Sequence, residues 1–227
     1  MNLTAQQKRI CEQVINVFET GSIQGDYSNI SIYHDGPQEM RQVTYGRSQT
    51  TEYGNLRELV QMYADAKGTY SDQLRPYVKK IGVMALVDDS PFKQLLRDAG
   101  KNDPVMRQVQ DGFFDKRYFQ PAMAWAESNG FTLPLSALVI YDSFVHSGSI
   151  RDSLRKLFTE VPPVKGGDEK TWIKQYVDVR HDWLANHKNP ELHPTVYRTK
   201  CFSSEIAKEN WDLSQLPINA NDVDVTG

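Results

Sequence analysis

Two carboxylates stand out for where the local pattern puts them. Glu19 closes an amphipathic run, Ile10, Cys11, Val14, Ile15 and Phe18, just ahead of Gly21, which places it in the last turn of a helix. Asp35 lies in the turn sequence His34-Asp35-Gly36-Pro37, between two stretches that read as hairpin arms, Asn29 to Tyr33 and Gln42 to Tyr45. Thr44 sits on the return arm. Two acids carried by separate elements to the walls of one groove can break a glycosidic bond, one protonating the leaving oxygen and the other activating water. The helix end suits Glu19 to the first role, because the negative end of the helix dipole disfavours a charged carboxylate there. Position alone favours a solvated glutamate at a helix terminus.

The elements that must hold these residues are mostly helical. Thr4 and Gln7 form a capping box, so the first helix is expected from about Ala5 to Thr20, with Gly21 ending it. The hairpin is the one clear strand region. Asn55 opens a helix that Gly68 stops, and Ser71 is expected to cap another running through Tyr77, Val78, Ile81 and Met84. A short helix is expected over Pro91 to Gly100. A long one follows from about Pro104 to Asn129, kinked or split at Pro121. The segment from Leu133, LPLSALVIYDSFVHSG, is apolar nearly all round and marks the buried centre of the helical part. Its one acid, Asp142, needs a cationic or hydrogen-bonding partner, since an unpaired buried carboxylate is costly. A short helix over about Ile150 to Phe158 precedes a loop, and Asp168 caps a final long helix carrying Trp172, Ile173, Tyr176, Val177 and Trp183. The last thirty or so residues read as irregular.

Composition narrows the partners. The 227 residues are 39% hydrophobic and 24% charged, the balance of an ordinary globular protein, with 26 lysines and arginines against 29 acids. A formal charge of −3 argues against nucleic acid and fits a cationic or neutral polymer. No apolar run is long enough for a membrane span, and the opening MNLTAQQKRI has no apolar signal core. The five histidines show no HExxH spacing and the two cysteines, Cys11 and Cys201, no CxxC pair, so no metal is expected. No glycine-rich loop follows a strand, and Cys11 falls on the apolar face of the first helix, which counts against phosphate binding and thiol catalysis.

The segment IYHDG…VTYG resembles the active-site hairpin of the lysozyme superfamily. GNLRELVQMY at Gly54, RYFQPAMAWAESNGF at Arg117, LVIYDSFVHSG at Leu138 and GGDEKTWIKQYVDVR at Gly166 narrow the likeness to the family 46 chitosanases. The resemblance implies a mainly α, lysozyme-like, two-lobed α+β fold. It would form one domain over 1–227, with a hairpin lobe at about 21–55, a larger helical lobe and a polysaccharide groove between them. It implies Glu19 as general acid, Asp35 as general base and Thr44 as a holder of the attacking water. Asp142 and Arg180, with Arg198 as a further member, would form an ion-pair network behind the acid, and Asn55, Tyr45 and Arg47 would contact substrate. The turn between Asp35 and Thr44 is longer than the family's compact Asp-Gly-Arg-Gly-Tyr-Thr pattern, and its arginine has no clear counterpart. The expected protein is an extracellular, monomeric, inverting endo-hydrolase of β-1,4-linked glucosamine polymer, needing no cofactor. Its two carboxyls would stand about 6.5–9.5 Å apart or more. A peptidoglycan-cleaving muramidase and a non-catalytic carbohydrate-binding protein stay open as alternatives.

Overall fold

The computed structural model describes residues 1–47 and 49–227. The chain divides into two compact units, one of 1–24 with 116–227 and one of 25–115. The unit that carries the hairpin therefore reaches well past residue 55 and takes in helices of its own.

The first unit opens with α1, Ala5–Thr20. Its capping box forms as the sequence predicts: Gln7 N donates to Thr4 Oγ1 at 3.1 Å and Thr4 N to Gln7 Oε1 at 2.9 Å. Gly21 ends the helix with φ 71°, a left-handed conformation that costs glycine little.

The second unit is built on an antiparallel three-stranded sheet of β1 (Ile30–Tyr33), β2 (Gln42–Tyr45) and β3 (Thr50–Thr51), in that order. The register pairs Ser31 with Thr44 and Tyr33 with Gln42, and Thr44 with Thr51. Because strand side chains alternate, Gln42 and Thr44 share one face while Val43 and Tyr45 point to the other. That second face enters a core with Leu59, Val60, Tyr63, Phe92 and Leu96. Around it lie α2 (Leu56–Asp65), α3 (Ser71–Leu74), α4 (Ser90–Asn102) and α5 (Pro104–Phe114). The helix expected from Ser71 through Met84 breaks after one turn, since Pro76 converts the next residues, Arg75–Lys79, to a 3₁₀ turn. Strand β3 was not anticipated, as two residues carry no readable alternation.

A buried carboxylate ties the sheet to the rest of this unit. Glu52 is 1% exposed, and it accepts from Val43 N at 3.1 Å and Leu86 N at 2.6 Å. Gly100 in α4 passes so close to Tyr27 that a Cβ would sit 2.1 Å from its carbonyl oxygen.

Returning to the first unit, a π-helical turn, Asp115–Phe119, leads into α6 (Gln120–Ser128). The long helix expected over 104–129 is thus split as Pro121 requires: proline has no N–H for the bond four residues back, and the wider turn absorbs the break. Then come α7 (Pro134–Ser147), α8 (Asp152–Arg155), α9 (Glu169–Ala185) and α10 (Tyr197–Ala207). Helix α7 is buried from Leu135 to Ser143 and packs against α1, α6 and α9, the central place its composition predicts. Asp168 caps α9 by accepting from Thr171 N at 2.8 Å.

The C-terminal stretch is not irregular. Besides α10 it forms a hairpin of β4 (Ile218–Ala220) and β5 (Val223–Val225), packed on α1. Its two turn residues, Asn221 and Asp222, have φ of 49° and 65°, the signature of a tight two-residue hairpin turn. Cys11 and Cys201 are free and buried. Among the described residues, no helix is long and apolar enough to cross a membrane.

Replacing Glu52 by Ala should leave the Val43 and Leu86 amides buried without an acceptor and lower stability by about 2–4 kcal/mol. Denaturant unfolding of the variant against the parent measures this, and an unchanged midpoint would contradict the tie.

Candidate functional site

In the first unit, Glu19 stands at the exit of α1 and is held by a residue far along the chain. Arg198, at the start of α10, places Nη2 2.5 Å from Glu19 Oε1 and Nη1 2.6 Å from Asp142 Oδ1. Its guanidinium is therefore divided between two carboxylates. Arg180, from α9, puts Nη1 2.6 Å from Asp142 Oδ2, an ion pair out of hydrogen-bond alignment. Asp142 and Arg180 are 0% exposed and Arg198 3%. Two guanidiniums thus meet the wholly buried Asp142 and the partly exposed Glu19, an arrangement that is tolerable because opposite charges are paired.

The electrostatics follow from that geometry. Burial alone would raise the Asp142 carboxyl, but the Arg180 and Arg198 charges outweigh it and hold the group below the ordinary carboxylate range. Burial and then Arg198 push the nearby His146 down to about 4, so the imidazole is neutral near pH 7. The faces of Phe18 and Tyr197 lie 5.2 and 5.6 Å from the Arg198 guanidinium carbon, and the Tyr197 hydroxyl donates to Phe18 O at 2.8 Å. Burial raises the Tyr118 and Tyr197 hydroxyls, and the Glu19 charge adds to the rise in both. The helix-dipole argument for Glu19 thus covers only one of the influences on it, since a guanidinium sits directly on the carboxylate.

In the second unit, Asp35 is exposed on the turn that joins β1 to β2. Gln42 Nε2 donates to Asp35 Oδ1 at 2.9 Å. The turn is tight, with Gln38 and Glu39 at φ 57° and 61° and Gly36 N bonded to Met40 O at 3.0 Å. Thr44 lies on the Gln42 face of the sheet, 4% exposed, and its hydroxyl has no hydrogen-bond partner among the described residues. Thr51, its register partner, adds a second hydroxyl to that face. Asn55 is partly exposed at the start of α2 and lines an open hollow of about 320 Å³ with Gly54, Arg57, Glu58, Gln61 and Val78.

Two expected substrate contacts do not fit. Tyr45 is 0% exposed in the core of its unit and donates its hydroxyl to Leu96 O at 2.7 Å, because strand alternation turns it away from the Thr44 face. Arg47 is 5% exposed, its guanidinium bonded to Asp111 and stacked 5.0 Å from the Phe114 ring centre. Both are structural residues of the second unit. Sequence reasoning in turn passed over Gln42, whose polarity in a strand reads as an ordinary outward position.

The model of glycosyl hydrolase family 46 matches residues 13–218. The chain belongs to glycosyl hydrolase family 46. As a family 46 member it is a glycoside hydrolase. A chitosanase of Bacillus subtilis (strain 168) is 32% identical over 226 residues, covering 92% of this chain and 79% of the relative. Among solved structures, the complex of a Gynuella sunshinyii family 46 chitosanase with chitotetraose matches with a TM-score of 0.81 at 26% identity, over 99% of this chain and 98% of that one. A mutant chitosanase from Bacillus subtilis MY002, complexed with 6 GlcN, matches with a TM-score of 0.79 at 26% identity, over 99% and 100%. The mainly helical fold with a small antiparallel sheet is the one these family 46 structures share. Among the described residues no group of His, Cys, Asp and Glu could hold a metal ion.

The buried cluster of this family 46 enzyme makes its stability acid-sensitive in two stages. The unfolded chain protonates His146 near pH 6.5 while the folded protein refuses that proton until about pH 4, so stability falls as pH drops through that window. The loss is on the order of 2 kcal/mol once the ring's partial exposure is discounted. Asp142, depressed in the fold, adds stability above the ordinary carboxylate value that disappears as pH falls below it. Urea unfolding at pH 7, 5.5 and 4 should show the first decline in the parent and a flatter one in His146→Gln.

Proposed function

We propose that this enzyme is an endo-acting chitosanase that hydrolyses β-1,4-linked glucosamine polymer with inversion, using Glu19 as general acid and Asp35 as general base. The observation that carries the reading is the Arg198 clamp on Glu19. It fixes a carboxyl group at the end of α1, in a chain whose family 46 relatives are chitosanases, two of them solved with glucosamine oligomers.

In this mechanism the Glu19 carboxyl gives its proton to the glycosidic oxygen as the bond to the anomeric carbon breaks and the electron pair leaves with that oxygen. Arg198 stabilises the carboxylate that Glu19 then becomes, and Asp142 and Arg180 keep Arg198 in place. A water attacks the anomeric carbon from the opposite face and passes a proton to Asp35, with Thr44 orienting the water. One displacement of this kind inverts the anomeric configuration. Asn55 supplies a neutral contact to a sugar in the hollow it lines. The excess of 29 acids over 26 basic residues favours a polymer of glucosammonium units over an anionic wall. Such a polymer is too large to enter a cell, so action outside it belongs to the same proposal.

Glu19→Gln and Asp35→Asn should each lower kcat on soluble chitosan by roughly 10³-fold or more while thermal unfolding stays near that of the parent. Proton NMR of the first products should show the α-anomer. Release of sugars from purified cell-wall sacculi with none from chitosan would point to a muramidase, and a β-anomer would exclude inversion.

A further inference from the structure

Asp35 sits on an exposed turn, and a base that must meet one water needs its carboxylate fixed. Cations are not what fixes it. Arg41, the basic residue of the turn, is directed at Asp88, with Nη1 3.6 Å from Oδ1. Among the described residues the hydrogen-bond partner of Asp35 is the Gln42 side chain.

That side chain is set from two directions. Gln42 is 4% exposed, and its Oε1 accepts from Tyr53 N at 3.1 Å while its Nε2 donates to Asp35 Oδ1 at 2.9 Å. The Tyr53 bond settles which end of the amide is which: a backbone N–H requires the oxygen, so the NH₂ end must face Asp35. Tyr53 is itself held in register by its neighbour. Glu52 N donates to Val43 O at 2.8 Å, and the Glu52 carboxylate receives Val43 N and Leu86 N. The anchor of Gln42 is therefore backbone locked to backbone.

We propose that Gln42 is the positioning residue of the general base, a buried neutral amide that orients Asp35 through one oxygen and leaves Oδ2 open to the attacking water. The inference rests on the reading of Asp35 as base. Its chemical point is that an amide donates a directed hydrogen bond without bringing a positive charge, so the carboxylate is aimed but not ion-paired. It also accounts for the long turn without a matched arginine, since the orienting group comes from the first residue of β2 instead.

Kinetics on soluble chitosan with Gln42→Leu, Gln42→Glu and Asp35→Asn test it. Gln42→Leu should lower kcat about 10- to 100-fold with KM within about twofold, as expected for a misaimed base in an intact groove. Gln42→Glu should be weakest near neutral pH, where two carboxylates oppose each other, and should recover toward acid pH as the new carboxyl becomes a donor. Its pH profile should thus lie to the acid side of the parent's. His34, beside Asp35 in the chain, is present in parent and variant alike, so the comparison between them isolates position 42. An unchanged kcat in Gln42→Leu with an inactive Asp35→Asn overturns the role of Gln42 alone. An active Asp35→Asn overturns the base assignment instead. Should Gln42→Leu not fold, a Gln42→Glu profile superimposable on the parent's overturns the proposal by itself.

Discussion

The guanidinium of Arg198 is the constraint on which the first unit is organised. One of its terminal nitrogens holds Asp142, which is wholly buried, and the other holds Glu19. Asp142 could not be left alone at that depth without a cost of about 3–5 kcal/mol, a large share of a small protein's margin of stability. The pairing fixes more than charge. It pins the end of α1 against the beginning of α10, with α7 and α9 supplying Asp142 and Arg180 from behind. Apolar contact alone sets the rotation of packed helices only loosely. The ion pairs add directed contacts between named side chains of α1, α7, α9 and α10.

The hairpin of the second unit solves a related problem by other means. Asp35 is exposed and is met by a neutral amide, where Glu19 is met by a buried cation. The acid and base roles proposed for these two carboxyl groups call for unlike surroundings, and the two are unlike in depth and in partner. The buried carboxylate of Glu52 matters here although it faces no substrate. By taking two backbone amides it holds β2 to the segment at Leu86, and so fixes the strand from which Gln42 extends.

What could be read in advance follows from how each element is stabilised. Helix α1, the β1–β2 hairpin, α7 and α9 were legible because caps, turn residues and apolar spacing all agree in them. Helix α10 was not, since the positions it turns inward include Arg198, Thr199 and Glu205, and buried polar residues defeat a search for an apolar stripe. The C-terminal hairpin has arms of three residues, too short for alternation, although Asn221-Asp222 carried the turn signal for it. At the site, the apolar surroundings of Asp142 required a cationic or hydrogen-bonding partner, and the structure supplies two cations. Tyr45 and Arg47 were misjudged because nearness in sequence to a candidate base says nothing about which side of a pleat a residue takes.

The origin of Arg198 has a bearing on how the enzyme comes into being. The residue that clamps Glu19 follows it by 179 positions, and the hairpin that packs on α1 follows later still. A ribosome must therefore have made at least the 179 residues that follow Glu19 before the proposed proton donor acquires its setting. Until then the emerging chain holds the acid but not its clamp, and Glu19 has to wait in a helix whose ionic partner is not yet made.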